Sequence, residues 1–277
     1  MTKLHLAKLH ATGNDFLVRL ALDGDTGALP PATVAALCDR HRGVGADGLI
    51  TIVAPSDGAD CTMVLQNADG GIAEMTGNGI RCLAWVAARA GLGTRDALVV
   101  DTAGGRREVA LTRDDLGNVI AAEVDMGTVT FGDTDVAVSA GNATYTADIA
   151  NIGNPHVVCF VDLPATVPVA EHGPIIETDA RFPNRTNVEF VRIVEESILE
   201  MRVWERGVGE TLSCGTGACA AAAVMHHRGW VGAAVEVRVP GGTLDVQIGD
   251  TVRLGGPVVH VFDLDLDLDL DLDIETA

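Results

Sequence analysis

Two segments far apart in this chain carry the same pattern. In each, a Gly-Asn pair is followed about sixty residues later by a small residue of the nucleophile type, then by Gly-x-Gly and a stretch typical of a helix. The copies are Gly13-Asn14 with Thr76-Gly77-Asn78-Gly79, and Gly153-Asn154 with Cys214-Gly215-Thr216-Gly217. Motifs that recur in the same order at nearly the same distance indicate an internal duplication. We therefore expect two similar halves that face one cleft, each presenting a helix N-terminus to a shared ligand.

The distribution of apolar residues predicts an α+β fold. Short alternating or β-branched runs, separated by Gly, Asp and Pro, recur along the chain and are typical of strands. The segments with the clearest helical pattern are residues 31–38, 80–90 and 218–228. Because strands outnumber helices, we expect each half to wrap a layer of strands around its helix.

The duplication also predicts the domain organisation. We expect an N-terminal half, residues 1–122, that carries Thr76, and a C-terminal half, residues 123–262, that carries Cys214. The last strand of the second half, residues 251–262, is a candidate for a return to the first half. A chain of 277 residues is long enough to give both halves a hydrophobic core.

Residues 263–277 form an acidic segment in which Asp and Leu alternate up to residue 273. Strict alternation is typical of a strand, but a strand face made only of aspartates repels itself. We therefore predict a solvated tail of low complexity, with a ragged extension of an edge strand as the alternative.

Composition excludes several classes of protein. The formal net charge of −20 argues against nucleic-acid binding, because a basic face supplies most of that affinity. The sequence shows no signal peptide and no apolar run of membrane-spanning length. Its six cysteines have no paired spacing, which favours a reducing cytoplasm. The oligomeric state stays open, with a homodimer as one hypothesis.

Cys214 is the strongest candidate for a reactive group. A cysteine at a helix N-terminus has its thiolate stabilised by the helix dipole and by nearby N–H groups, so we expect a lowered pKa. A buried structural cysteine is the alternative. The glycines that follow Cys214 favour reactivity, because they let a ligand approach the backbone closely.

Other polar residues fit a pocket for an amino-acid-like ligand. The two helix N-termini, at Gly77-Asn78 and Gly215-Thr216, are suited to bind a carboxylate or phosphate. The remaining candidates are Asn14, Asn67, Asn154, Asn187, Glu205 and Arg206. Arginine suits a carboxylate, glutamate an ammonium group, and asparagine either. Each asparagine could instead cap a turn, and Arg206 could be a surface ion-pair partner.

Two kinds of prosthetic group do not fit the sequence, and we predict neither a cofactor nor a metal. Pyridoxal phosphate needs a Schiff-base lysine, and the only lysines, Lys3 and Lys8, lie upstream of every site motif. A zinc site would have to use Cys214, Cys219, His226 and His227. The spacing of these two cysteines is not that of a zinc knuckle.

The motifs together resemble those of the diaminopimelate epimerase family. The matching segments are residues 8–16, 39–48, 67–70, 77–82, 153–156, 185–187, 205–207 and 214–219. They follow the order of that family across most of the chain. The resemblance implies two pseudo-symmetric halves, each a β-barrel-like sheet around a central helix, with the active site in the cleft between them. It further implies cofactor-free conversion of LL- to meso-diaminopimelate by inversion at one α-carbon, in lysine biosynthesis.

The resemblance also assigns roles by position. Cys214 would be one catalytic acid/base. The carboxylate at the reacting centre would be held by Gly77, Asn78, Gly215 and Thr216, with help from Asn14. The distal amino-acid end would be held by Asn67, Asn154, Asn187, Glu205 and Arg206. His156 would lie close to the site.

Thr76 departs from this pattern. The family uses two cysteines on opposite faces of the α-carbon, and the first of them falls on Thr76. A threonine hydroxyl is far too weak an acid to form a useful alkoxide near neutral pH unless a base activates it. The favoured hypothesis is an epimerase in which Thr76 relays a proton through a water or a neighbouring group. The alternatives are a one-thiol racemase or dehydratase of another amino acid, and a non-catalytic amino-acid-binding descendant.

Overall fold

The computed structural model of this chain describes residues 3–24, 27–55 and 58–267. The chain divides into two compact units. The first is Met1–Val124 together with Pro257–Ala277, and the second is Asp125–Gly256. Residues 257–262 therefore belong to the first unit and not to the second half.

Strands and helices follow one another in the order expected of an α+β chain. The helices are α1 (Pro31–Cys38), α2 (Gly77–Arg89), α3 (Val169–Glu177) and α4 (Gly215–His227), with a short 3₁₀ turn at Pro164–Thr166. The strands up to α3 are β1 (Lys3–Ala11), β2 (Asn14–Ala21), β3 (Gly48–Val53), β4 (Cys61–Asn67), β5 (Ile72–Ala73), β6 (Ala97–Thr102), β7 (Gly105–Arg113), β8 (Val119–Asp125), β9 (Thr130–Phe131), β10 (Val136–Ala140), β11 (Ala143–Asn151) and β12 (Pro155–Phe160). Those after α3 are β13 (Asn187–Glu195), β14 (Ile198–Glu205), β15 (Gly209–Thr211), β16 (Ala234–Val239), β17 (Gly242–Ile248), β18 (Val252–Pro257) and β19 (Val259–Asp267).

In the first unit a mostly antiparallel sheet surrounds α2. The strands follow the order β19-β1-β2-β3-β4-β6-β7-β8, with β5 paired to β4. The two parallel pairs, β2–β3 and β4–β6, are connected through α1 and α2 respectively. Val258 N–H donates to the Ile120 carbonyl at 3.1 Å, which brings β8 next to the start of β19.

The second unit repeats this arrangement around α4. Its strands follow the order β10-β11-β12-β13-β14-β16-β17-β18, with β9 paired to β11 and β15 to β14. The parallel pairs are β12–β13, connected through α3, and β14–β16, connected through α4. Both central helices contain 13 residues. The prediction of an α+β chain built from two similar halves is confirmed.

Both central helices are buried, and this explains their composition. In α4 the run from Ala218 to Met225 is almost wholly inaccessible to solvent, since strands contact the helix on several sides. A helix enclosed in this way is apolar around its whole circumference and lacks the one-sided pattern of a surface helix. Both helices also begin three residues earlier than the sequence indicated, because the Gly-x-Gly segments form their first turns.

Helix α3 has no clear helical signal in the sequence because Pro174 lies inside it. A proline normally disfavours a helix interior. Here the preceding Gly173 packs against the Trp204 ring, where a β-carbon would clash. The Trp204 indole N–H donates to Glu177 Oε2 at 2.6 Å, so the residues around Pro174 are held to β14 by specific contacts.

The prediction of a solvated tail is wrong for residues 263–267, which complete β19 and pair with β1. Leu264 and Leu266 stand opposite Leu6 and Leu4 and pack on the buried cluster that these leucines share with Val34 and Leu37. The aspartates do not face one another.

The cross-strand register explains why the aspartates are tolerated. Asp265 stands opposite His5, at 2.8 Å from its Nδ1, and Asp267 stands opposite Lys3. Asp263 binds Arg89 at 2.8 Å. Opposite charges on facing strands stabilise the pairing that a row of like charges would oppose. The remaining residues of the predicted tail, 268–277, lie outside the described residues.

None of the helices in the described part of the chain has the length and apolar character needed to cross a membrane.

We predict that Leu264→Ala lowers the free energy of unfolding of the protein by about 1–2 kcal/mol, because a partly buried leucine is removed from the core under β19. Urea denaturation followed by circular dichroism measures this change. Asp265→Ala is the matched control on the opposite face of the strand, where its side chain is 78% exposed, and should cost only a few tenths of a kcal/mol. Equal effects of the two substitutions would mean that β19 is not packed on the core.

Candidate active site

In the first unit Thr76 is the N-cap residue of α2. Its backbone is extended, with φ −137° and ψ 134°, and its carbonyl accepts from Ile80 N–H at 3.0 Å. The Thr76 hydroxyl makes no capping hydrogen bond. The first amides of a helix lack an acceptor within the helix and carry its positive dipole, so this end of α2 is suited to bind an anion.

The third residue of each Gly-x-Gly start has to be glycine because of close packing. A β-carbon on Gly79 would lie 2.5 Å from Thr76 Cγ2 and 3.0 Å from Ile50 Cδ1. A β-carbon on Gly217 would lie 2.7 Å from Glu189 Oε1. In both units, therefore, a side chain from a neighbouring strand packs directly beneath the first turn of the central helix.

A chain of hydrogen bonds ties the start of α2 to the start of β2. Arg81 Nη2 donates to Asn78 Oδ1 at 2.9 Å, and Asn78 Nδ2 donates to Asn14 Oδ1 at 3.2 Å. Asn14 Nδ2 in turn donates to Asp47 Oδ2 at 2.6 Å. The series begins at a donor, the buried Arg81 guanidinium, and ends at an acceptor, the Asp47 carboxylate. The orientation of both asparagine amides between them is therefore fixed.

An ion-pair cluster holds Asp47 in place. Arg40 Nη2 lies 2.5 Å from Asp15 Oδ1 and 2.7 Å from Asp47 Oδ1, and the buried Lys8 ammonium binds both Asp15 and the Gly45 carbonyl. Burial raises the pKa of Asp15, but hydrogen bonds from Arg40 and Lys8 outweigh it and lower the pKa to about 2. These residues lie in the matching segments 8–16 and 39–48, but the sequence indicates no role for them.

Asn67 does not join this network. It lies exposed at the end of β4, where its carbonyl accepts from Gly70 N–H at 2.9 Å and its N–H donates to Gly71 at 2.8 Å. Its backbone therefore closes a turn.

In the second unit Cys214 is the N-cap residue of α4, and its sulfur is enclosed by hydrogen-bonding groups. Gly217 N–H donates to Cys214 Sγ at 3.4 Å, and the Thr216 hydroxyl lies 3.5 Å from the sulfur. The Glu205 carboxyl group lies near the thiol, and it accepts a hydrogen bond from Thr211 Oγ1 at 2.5 Å.

The expectation of a lowered pKa for Cys214 is wrong. Burial raises the pKa of the thiol well above its ordinary value, and the nearby carboxylates of Glu205 and Glu189 add to this effect. The hydrogen bonds from Thr216 and Gly217 act in the opposite direction but are outweighed. Burial also raises the pKa of Glu205. Near neutral pH the group at the start of α4 is therefore a thiol that can donate a proton.

His156 and Glu189 form a fully buried pair behind this helix start. His156 Nδ1 lies 2.7 Å from Glu189 Oε1, and His156 Nε2 lies 2.9 Å from Asn154 Oδ1. Asn154 Nδ2 donates to Thr216 Oγ1 at 3.3 Å. The sequence placed His156 near the site but missed Glu189. The available signal was a charged residue between apolar residues, in the part of β13 (residues 187–191) that is buried.

A hydrogen bond joins Asn187 to Arg206, beside the loop that carries Asn154 and His156. Asn187 Nδ2 donates to the Pro155 carbonyl at 3.0 Å, and Asn187 Oδ1 accepts from the backbone N–H of Arg206 at 2.9 Å. The Asn187 side chain thus joins two loops. Arg206 is exposed, and its Nη1 lies 3.4 Å from the Asn184 carbonyl, which leaves other guanidinium donors facing solvent.

We predict that Asp15→Asn destabilises the protein by about 2 kcal/mol near pH 7, with a smaller effect in acid. The folded pKa of Asp15, about 2, lies below its unfolded value, so its contribution is complete above about pH 4 and is lost as pH falls towards 2. Unfolding free energies of wild type and variant from pH 7 to pH 2.5 measure the difference. Asp115→Asn on an exposed turn controls for loss of charge, and a pH-independent difference for Asp15→Asn would contradict the prediction.

Comparison with known sequences identifies relatives over nearly the whole chain. The sequence profile described as diaminopimelate epimerase matches residues 6–132 and 149–260. The diaminopimelate epimerase of Burkholderia ambifaria is 40% identical over 289 residues, covering 94% of this chain and 97% of that protein. That of Synechococcus elongatus is 40% identical over 272 residues, covering 94% and 96%.

Solved structures share the fold at much lower identity. A hydroxyproline epimerase from Agrobacterium vitis superposes with a TM-score of 0.74 at 16% identity, covering 97% of this chain and 93% of the other. A predicted epimerase from Pseudomonas aeruginosa gives a TM-score of 0.72 at 18% identity, covering 95% and 99%. At this level of identity the structures establish the fold alone. The sequence matches over almost the full length, with which this fold agrees, show that the chain belongs to the diaminopimelate epimerase family.

Proposed function

We propose that this isomerase interconverts LL- and meso-diaminopimelate by removing the α-proton from one carbon and returning a proton to it. The observation that carries the proposal is the Cys214 thiol, buried at the start of α4, where its sulfur accepts from Gly217 N–H and the Glu205 carboxyl group is close enough to raise its pKa. Such a pair can release a proton to carbon and take one back. Membership of the diaminopimelate epimerase family supports the choice of substrate.

The carboxylate of the reacting centre would bind to the first turns of α2 and α4. Gly77 and Asn78 begin one helix, Gly215 and Thr216 the other. Helix N-termini stabilise an anion through their amides and dipole, which also favours the negative charge that develops when the α-proton leaves. The hydrogen bond to Asn78 supports a role for Asn14 in orienting this end of the substrate.

The distal amino-acid end would be held mainly by Arg206, whose exposed guanidinium suits a carboxylate. The side chain of Asn67 is also exposed, which supports its assignment to the distal amino-acid end. Asn154 and Asn187 already use their side chains in hydrogen bonds within the second unit, so we propose that they position the loops of the binding site. Glu205 is proposed to exchange its proton with Cys214.

At Cys214 the proton balance is simple. The thiol gives its proton to the α-carbon, and the thiolate that forms is stabilised by the hydrogen bonds from Gly217 and Thr216. In the reverse direction the same sulfur takes the proton. The group acting on the other face would be Thr76, relaying a proton through a water, because its hydroxyl makes no capping hydrogen bond in the structure.

The departure at Thr76 also supports a second candidate, a racemase or dehydratase of another amino acid that needs one thiol only. Abstraction on one face favours exchange without inversion, or elimination of a β-leaving group. The exposed Arg206 has no evident role with such small ligands, so this candidate ranks second.

We also propose a reducing compartment, the cytoplasm, as the site of the reaction. All six cysteines are free thiols in the structure. Thiols persist where glutathione and thioredoxin keep cysteines reduced.

We predict that incubation with LL-diaminopimelate in D₂O yields the meso isomer with deuterium at the inverted carbon, measured by chiral chromatography and mass spectrometry. Cys214→Ala should abolish both inversion and exchange while leaving the circular dichroism spectrum unchanged. The second candidate would be favoured if folded wild-type protein did not convert LL-diaminopimelate. It would then have to exchange the α-proton of proline or hydroxyproline, or eliminate a leaving group from one of them. Binding without any turnover would favour a non-catalytic protein.

We predict that Thr76→Cys raises kcat for LL-diaminopimelate, because a thiol at the start of α2 is a far better acid and base than a hydroxyl. General acid–base groups contribute about 10²- to 10⁴-fold to the rate. If proton transfer at Thr76 limits kcat, the increase should therefore be measurable in steady-state assays. Thr76→Val, which keeps the shape but removes the hydroxyl, is the control and should lower kcat. A kcat for folded Thr76→Cys that equals or falls below wild type would show that proton transfer on this face already runs through another group.

A further inference from the structure

The turn between β14 and β15 carries Glu205 and Arg206, and two of its successive N–H groups donate to side chains from other elements. The Arg206 N–H donates to Asn187 Oδ1 at 2.9 Å. The Gly207 N–H donates to Glu177 Oε1 at 2.9 Å. Glu177 lies outside this hairpin, in α3, and the proposed reaction gives it no task.

The Glu177 carboxylate is surrounded by hydrogen-bond donors. Its Oε1 accepts from the Gly207 N–H and lies 3.5 Å from Arg185 Nη1, while its Oε2 accepts from the Trp204 indole N–H at 2.6 Å. A backbone N–H, an indole N–H and a guanidinium can only donate, so the direction of each contact is fixed. Each oxygen of Glu177 thus has its own N–H donor, one on β14 and one on the turn that follows it.

The stability of α3 does not explain a carboxylate at this position. Glu177 is the last residue of the helix, where the helix dipole favours a cation and opposes a negative charge. Only 4% of the residue is exposed, and taking a carboxylate out of water is costly unless hydrogen bonds replace the lost solvation. The contacts that Glu177 makes with the Arg206 turn and with Trp204 supply those hydrogen bonds.

The first unit holds its equivalent turn without a residue from a helix. Strand register equates Gln66 with Trp204, since each pairs with the second residue of the strand before it. The Gln66 side chain donates to the Gly70 carbonyl at 3.2 Å, and the Gly71 N–H donates to Asp69 Oδ1 at 2.8 Å. A helix contributes an acceptor only in the second unit, where the turn carries an arginine.

We infer that Glu177 is a positioning residue for the distal end of the substrate site: by accepting from the Gly207 N–H, it fixes the turn after β14 and so holds the Arg206 guanidinium where the distal carboxylate binds. The inference rests on the proposed function, in which Arg206 binds that carboxylate. Glu177 acts through Arg206 and not through a contact of its own. A turn that is already fixed lowers the cost of ordering on binding, which is a gain in affinity.

Glu205, on the same turn, is held by other contacts. It pairs with Gly209 across β14 and β15, and its carboxyl group accepts from Thr211 Oγ1 at 2.5 Å. Loss of the Glu177 contact should therefore disturb binding of the distal end more than proton transfer at Cys214.

Glu177→Met tests this inference, because it removes both acceptors and keeps a side chain of similar length that favours a helix. We expect KM for LL-diaminopimelate to rise about tenfold, as for the loss of a hydrogen bond to a charged group, while kcat changes by less than about twofold. An unchanged KM, or a loss of kcat alone, would overturn the inference. Glu171→Gln, which removes an exposed carboxylate from the same helix, is the matched control and should leave both constants unchanged.

A double-mutant cycle shows whether Glu177 acts through Arg206. In an Arg206→Ala background, Glu177→Met should change KM by less than about twofold, because the residue that it positions is gone. A tenfold rise that persists in this background would overturn the inference.

Calorimetry with meso-diaminopimelate repeats the cycle as Kd and needs no turnover. Wild-type protein that binds this ligand without converting either isomer would refute the proposed reaction, and the cycle in Kd would still decide the role of Glu177. Wild-type protein that does not bind it would overturn the inference as well.

A measurement on the wild-type protein covers the case in which Glu177→Met fails to fold. Hydrogen exchange followed by NMR should show that the Gly207 amide is protected, although the turn is exposed. A Gly207 amide that exchanges as fast as in an unstructured peptide would mean that Glu177 does not hold the turn, and the inference would be overturned.

Discussion

Each unit depends on one hydrogen bond between an asparagine in a glycine-containing loop and the second residue of the central helix. Asn14 meets Asn78 in the first unit, and Asn154 meets Thr216 in the second. The bond fixes the start of a buried helix against a parallel pair of strands, and the helix start is the feature that can bind an anion. It sets the position of the first-turn amides relative to the loop that precedes the parallel pair.

The two units orient this asparagine with differently placed charged groups. The first places its cation, Arg81, on the helix and a carboxylate, Asp47, on the strand side, so the amides donate away from the helix. The second has Cys219 at the position of Arg81 and a histidine on the strand side. Duplication thus preserved the backbone geometry while the side chains diverged, and only the second helix start directs donors towards a thiol.

Features that repeat within the sequence could be predicted from it, whereas features formed by distant strands could not. The paired Gly-x-Gly motifs predicted both central helices and the duplicated α+β architecture. The pKa of Cys214 was misjudged because Glu189 and Glu205 reach the thiol from strands whose packing no local pattern reveals. Residues 263–267 were taken for a tail because their partners, the cations and leucines of β1, lie about 260 residues away.

The return of β19 to β1 has a consequence for folding during synthesis. The second unit is one continuous segment, so all its strands are available once residue 256 has left the ribosome. The first unit begins earlier but lacks an edge strand until β19 has been synthesised. The N-terminal domain usually folds first. Here the second unit can complete its sheet before the first, and until then one edge of β1 is unpaired. Such an edge can recruit other strands, so β1 is exposed to wrong pairing until β19 is in place.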